Sequence, residues 1–110
     1  MHVEKSIHGN VTIVALVGDL DSATAAQVHA DLGELEPDDG RVLLDLSRVS
    51  YLSSAGLRVL LVVHRQARRK GLRLALASVP PDMHAVLSET GFIEAFVVAD
   101  TVAAGVAALR

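Results

Sequence analysis

Arg41-Val42-Leu43-Leu44-Asp45-Leu46-Ser47-Arg48-Val49-Ser50-Tyr51-Leu52-Ser53-Ser54-Ala55-Gly56-Leu57-Arg58-Val59-Leu60-Leu61 reads as a buried strand, a short polar turn and a helix that opens on two hydroxyls. The strand is expected over Arg41 to Leu46 and the helix to about Lys70. Leu57, Leu60, Leu61 and His64 recur at helical spacing, and Val63 and Ala67 widen that apolar face. Gly71 stands where a left-handed cap ends a helix. A serine pair at a helix start can cap it, or it can present a hydroxyl for phosphorylation at the positive end of the helix dipole.

Working outward, Val3 to His8 and Val11 to Gly18 flank Gly9-Asn10 and predict a β-hairpin. The second of these segments is apolar at nearly every position, which places it inside the sheet. Asp21 or Ser22 is expected to cap a helix running to about Leu35, with Val28, Leu32 and Leu35 at core spacing. Pro37-Asp38-Asp39-Gly40 supplies a turn before the quoted strand. After it, Leu72, Leu74 and Leu76 predict a strand, and Pro80-Pro81-Asp82 begins a helix to about Thr90, stopped by Gly91. A short strand around Ala95 to Val98 and an alanine-rich helix from Asp100 or Thr101 complete an α/β order with a largely parallel sheet. At 110 residues this is one domain, with no linker or repeat.

Composition narrows the function. Aromatics are 3% of residues, too few to build base-stacking platforms, and the formal net charge of −3 argues against direct nucleic-acid or acidic-membrane binding. Every charged residue from Asp19 to Asp39 is acidic, whereas Arg58, Arg65, Arg68, Arg69, Lys70 and Arg73 form a basic stretch. Cations in the last turn of a helix complement its dipole, which accounts for Arg68, Arg69 and Lys70; a charged docking surface for a protein partner stays open. The chain has no cysteine, so thiol catalysis and disulfides are absent. Met1-His2-Val3-Glu4-Lys5 lacks a signal-peptide pattern, and Val59 to Val63 is too short to span a bilayer. A cytoplasmic protein without membrane insertion is expected.

Enzyme signatures are weak. Gly18-Asp19-Leu20-Asp21 lacks a dinucleotide-binding glycine cluster, and Ser53-Ser54-Ala55-Gly56 lacks the flanking glycine of a nucleophile elbow. The histidines at 2, 8, 29, 64 and 84 show no paired metal-ligand spacing. His64 reads as a half-buried core residue; a hydrolase would need His8 or His84 beside the serines. Asp21 reads as a cap and Asp19 as solvent-exposed, while Asp45 interrupts an apolar strand and needs a hydrogen-bond partner, such as amides of the following turn or a serine hydroxyl. No catalytic residue, metal or cofactor is assigned.

Gly18-Asp19-Leu20-Asp21-Ser22-Ala23-Thr24-Ala25 and Leu44-Asp45-Leu46-Ser47-Arg48-Val49-Ser50-Tyr51-Leu52-Ser53-Ser54-Ala55-Gly56-Leu57 resemble the STAS domain family, and within it the single-domain bacterial anti-sigma factor antagonists. The resemblance covers essentially the whole chain. It implies a single STAS domain over residues 1–110, an N-terminal β-hairpin followed by alternating helices and strands on a mostly parallel mixed sheet. It further implies partner switching in transcription regulation. The unphosphorylated protein binds an anti-sigma factor that is a serine kinase and frees a sigma factor; phosphorylation breaks the complex and a phosphoserine phosphatase resets it. Ser54, two residues before Gly56, matches the acceptor. Ser53 stands where many members carry aspartate, and is a rival acceptor; Ala55 stands where serine or threonine is frequent. The implied contact surface comprises Asp19, Asp21, Ser22, Thr24, Ser53, Ala55, Gly56, Leu57 and Arg58, with Val59 and Val62 nearby. Alternatives within the family are a constitutive adaptor subunit of a larger assembly, such as a lipid-transport ATPase complex, and a nucleotide-binding module. The sequence does not address the oligomeric state.

Overall fold

In a computed structural model describing residues 1–33 and 40–109, Gly9 and Asn10 turn the chain between β1 (His2–His8) and β2 (Val11–Leu20). The two strands pair antiparallel with His8 opposite Val11, and Gly9 takes a φ of 60°, which the tight two-residue turn requires. Helix α1 (Ala25–Gly33) follows, then β3 (Arg41–Leu52), α2 (Ser54–Arg69), β4 (Arg73–Ala77), α3 (Pro81–Glu89), a single 3-10 turn (Phe92–Ala95), β5 (Val97–Ala99) and α4 (Val102–Leu109). The sheet order is β1-β2-β3-β4-β5, and every pair after the hairpin is parallel. The expected α/β architecture with a mostly parallel mixed sheet is therefore present. Leu35 and most of the turn expected at 37–40 lie outside the described residues.

Side-chain alternation divides the sheet into two apolar faces. On one, Val14, Leu16, Val42, Leu44, Leu46, Leu74 and Leu76 pack against Val28 and Leu32 of α1, Leu57, Leu60 and Val63 of α2, and Met83 and Leu87 of α3. On the other, Val11, Ile13, Leu43, Ala75 and Ala77 receive Val106 and Leu109 of α4. Each fully buried leucine or valine contributes about 1.5–3 kcal/mol, so the core rests on aliphatic burial rather than on aromatics.

The main departure from the sequence reading is β3, expected to stop at Leu46 and extending to Leu52. Its pairing with β4 ends at Asp45, but pairing with β2 continues to Leu52 opposite Leu20. Two register shifts allow this: Ala15 faces Asp45 while Val17 faces Arg48, and Gly18 faces Val49 while Asp19 faces Tyr51. Each inserts one extra residue into β3, a β-bulge that switches which parity of residue faces the core. Leu46, Val49 and Leu52 consequently all point to the same core at intervals of three. Asp45 finds one of its anticipated partners, its Oδ1 accepting from the Ser47 amide at 3.1 Å beside the first bulge.

The remaining differences are local. Asp21 does cap α1, although the regular helix starts at Ala25: its Oδ1 accepts from the amides of Ala23 (2.9 Å) and Thr24 (3.2 Å), and its own amide donates to Thr24 Oγ1 (3.1 Å). This reciprocal arrangement is a capping box. The last strand begins at Val97 instead of Ala95, because the 3-10 turn occupies the preceding residues. Thr101 caps α4, its Oγ1 accepting from the Ala104 amide at 3.0 Å.

Candidate functional site

Parallel strands β2 and β3 end side by side, Asp19 opposite Tyr51 and Leu20 opposite Leu52. The turns that follow them are thus neighbours at the carboxyl edge of the sheet, the edge where open α/β sheets place their sites. The Ser53 amide donates to the Leu20 carbonyl at 3.0 Å and ties the start of α2 to the end of β2. Gly56 makes that approach possible: a Cβ there would stand 2.1 Å from the Leu20 oxygen and 2.7 Å from its carbonyl carbon. No side chain fits in that space.

The two hydroxyls of the serine pair are not equivalent. Ser53 is the N-cap of α2, extended at φ −92° and ψ 173°, and its Oγ accepts from the Gly56 amide at 3.2 Å. Ser54 is the first helical residue and is exposed. Among the described residues, no hydrogen bond engages its hydroxyl. One hydroxyl is occupied with holding the helix and its neighbour is exposed to solvent.

Around them, Asp19 and Ser22 are exposed and Asp21 and Thr24 half-buried. Thr24 Oγ1 donates to the Asp19 carbonyl at 2.7 Å and ties the start of the turn to the approach to α1. Ala55 is half-buried and Arg58 exposed on α2. Gly56 and Leu57, expected at the contact surface, are buried, as is Val59; they shape the site from beneath, and Val62 reaches the surface only in part. His64 is half-buried with its ring edge-on to Phe96 at 4.9 Å, and burial followed by the charge of Arg68 lowers its pKa. His84 hydrogen-bonds Ser88 at 3.3 Å and His8 lines a groove against α4, and among the described residues neither is hydrogen-bonded to the serine pair.

Sequence reasoning missed a groove of about 260 Å³ where β4 has ended and α3 begins, lined by Val49, Tyr51, Leu52, Pro80, Asp82, Met83 and Val86. Tyr51 is 58% exposed on its rim, three residues before Ser54. The available signal was the only tyrosine of an aromatic-poor chain, standing between apolar neighbours and the serine pair.

The STAS domain family model matches residues 2–105, and the chain belongs to that family. BtrV of Bordetella bronchiseptica, named as a candidate anti-sigma factor antagonist, is 39% identical over 99 residues, which cover 89% of this chain and 85% of BtrV. An anti-sigma F factor antagonist of Paenibacillus polymyxa is 28% identical over 96 residues, 86% of this chain and 82% of that protein. The crystal structure of an anti-sigma factor antagonist from Mycobacterium paratuberculosis has the same fold, with a TM-score of 0.88 and 23% identity, covering 99% of this chain and 93% of that one. No helix among the described residues is long and apolar enough to cross a membrane.

Proposed function

We propose that this STAS domain is a cytoplasmic, non-enzymatic anti-sigma factor antagonist that binds an anti-sigma factor kinase and is released by phosphorylation of Ser54. The observation that carries this reading is the division of labour in the serine pair, with Ser53 tied into the cap and Ser54 exposed at the helix start. The names of the relatives supply the partner class.

The energetics suit a switch. A phosphoserine brings about −1.5 to −2 charge at pH 7. Within the free domain that charge meets a helix N-terminus, which favours it by roughly 0.3 to 1 kcal/mol, so the fold tolerates the modification. In a docked complex the same charge loses water, at a cost of several kcal/mol where the partner offers it no cation. Moving an equilibrium from 1:99 to 99:1 takes about 5.5 kcal/mol, within reach of one buried phosphate. A phosphoserine phosphatase then restores the binding form.

Incubation with the cognate anti-sigma factor and ATP, followed by peptide mapping, tests this directly. Phosphate is expected on Ser54, abolished in Ser54→Ala and retained in Ser53→Ala, and Ser54→Glu is expected to weaken binding. Undiminished phosphorylation of Ser54→Ala, or equal affinity of wild type and Ser54→Glu, refutes the proposal.

A further inference from the structure

Helix α2 holds four arginines, at 58, 65, 68 and 69, and no acidic residue, in a chain whose net charge is −3. All four are exposed, and none of their side chains forms an ion pair or hydrogen bond among the described residues. At 3.6 residues per turn, Ser54, Arg58, Arg65 and Arg69 fall within about 60° of one another around the helix. Together they form a ridge that rises from the free serine and runs about 16 Å from Arg58 to Arg69. The helix dipole accounts for Arg68 and Arg69 in the last turn. It opposes Arg58 near the N-terminus and is indifferent to Arg65 at mid-helix, so helix stability does not explain the ridge.

Beside the ridge, between α2 and the 3-10 turn, lies an open groove of about 360 Å³. Leu61 and the 39%-exposed Phe92 give it an apolar floor, Arg65 and Arg68 line one side, and His64 and Glu94 complete it. Guanidinium groups pair with carboxylates through two parallel hydrogen bonds. A segment carrying acidic residues along one line and an apolar side chain beside them matches this surface. A long polyanion matches it less well, because the ridge is short and the protein as a whole is acidic.

Building on the anti-sigma factor reading above, we propose that the arginine ridge of α2 is the docking surface for an acidic, amphipathic segment of that anti-sigma factor. Phosphate on Ser54 then stands at the head of the ridge and repels the carboxylates that the arginines attract.

The test is titration calorimetry of the cognate anti-sigma factor against wild type, Arg65→Glu/Arg69→Glu, Arg65→Lys/Arg69→Lys and Ser54→Glu, at about 50 and 300 mM salt. Both reversed positions are exposed, so the variants are expected to stay folded, with melting lowered by no more than a few degrees where Arg69→Glu opposes the helix dipole. The glutamate pair is expected to weaken binding about tenfold or more and to flatten its salt dependence, with the lysine pair losing less and keeping the wild-type salt dependence, because it keeps the charge but not the paired hydrogen bonds. Wild-type affinity in Arg65→Glu/Arg69→Glu, together with weakened Ser54→Glu, overturns the ridge and leaves the serine switch standing. Failure of the wild type to form any complex overturns the proposed function and the ridge with it. Binding of anionic vesicles or duplex DNA that is lost in the glutamate pair, with the anti-sigma factor bound normally, also overturns the inference and assigns the ridge to another polyanion.

Discussion

Gly56→Ala asks whether the start of α2 is held where it is by contact with the end of β2. The added methyl would sit 2.1 Å from the Leu20 oxygen, where ordinary contact begins at 3.4 Å, so the helix start must retreat by about 1.3 Å. The obstacle is backbone inside a paired strand and cannot swing aside. The same oxygen accepts the Ser53 amide, so retreat also stretches that 3.0 Å bond. Overpacking costs roughly 1–3 kcal/mol and the lost hydrogen bond about 0.5–1.5 kcal/mol. Alanine returns about 1 kcal/mol of helix propensity. A net loss of about 1–3 kcal/mol corresponds to a fall in Tm of roughly 5 to 15 °C for a domain of this size. Thermal unfolding by circular dichroism reads the loss, and hydrogen exchange at the Ser53 amide reads its location. Gly105→Ala is the comparison: its methyl would meet the buried Leu43 side chain, at 2.6 and 2.9 Å from its Cδ atoms, a side chain that must repack but that is not strand backbone, so a smaller fall in Tm is expected. A Gly56→Ala protein that melts at or above wild type, with the Ser53 amide equally protected, refutes the reasoning.

Other expectations are simpler. Ser53→Ala removes the α2 cap and should cost about 0.5–2 kcal/mol in urea unfolding, whereas Ser54→Ala should stay within about 0.5 kcal/mol of wild type. Asp21→Ala breaks the capping box of α1 and should cost a similar 0.5–2 kcal/mol, approximately, in the same assay. The lowered pKa of His64 means that the unfolded chain binds its proton more readily than the folded one, so this group subtracts stability as pH falls through its ordinary value of 6.5 toward its folded value. His64→Gln should remove that part of the slope of Tm against pH, and the His64 ring should titrate below 6.5 by NMR.

Much of this architecture can be read from the chain because local signals agree with one another. Gly9-Asn10, Gly71 and Pro80-Pro81 punctuate elements as their backbone chemistry demands, and the helical spacing of Leu57, Leu60 and His64 matches the face that α2 turns inward. The end of β3 was not legible for a physical reason: two bulges convert the strand period of two into a spacing of three, and Leu46, Val49 and Leu52 then look like anything but a strand. The serine pair could be located by its place before Gly56, but its hydroxyls could not be told apart. Which oxygen caps depends on a backbone angle at Ser53 that composition does not encode. The Tyr51 groove escaped notice because it forms between two segments distant in sequence, around the point where β4 stops.

From Leu46 onward β3 leans on one neighbour alone, since β4 has already turned away. Ser54 therefore sits at the tip of a two-stranded ribbon anchored at its base in a five-stranded sheet. One face of this ribbon is pinned by Leu20, Leu46 and Val49 in the core, but with a single strand partner its outer edge is open, and the amides of β3 beyond Leu46 should exchange with solvent before those of Arg41–Asp45. Ser54 is thus held at a fixed angle by the core beneath it, beside a strand edge that β4 leaves uncovered.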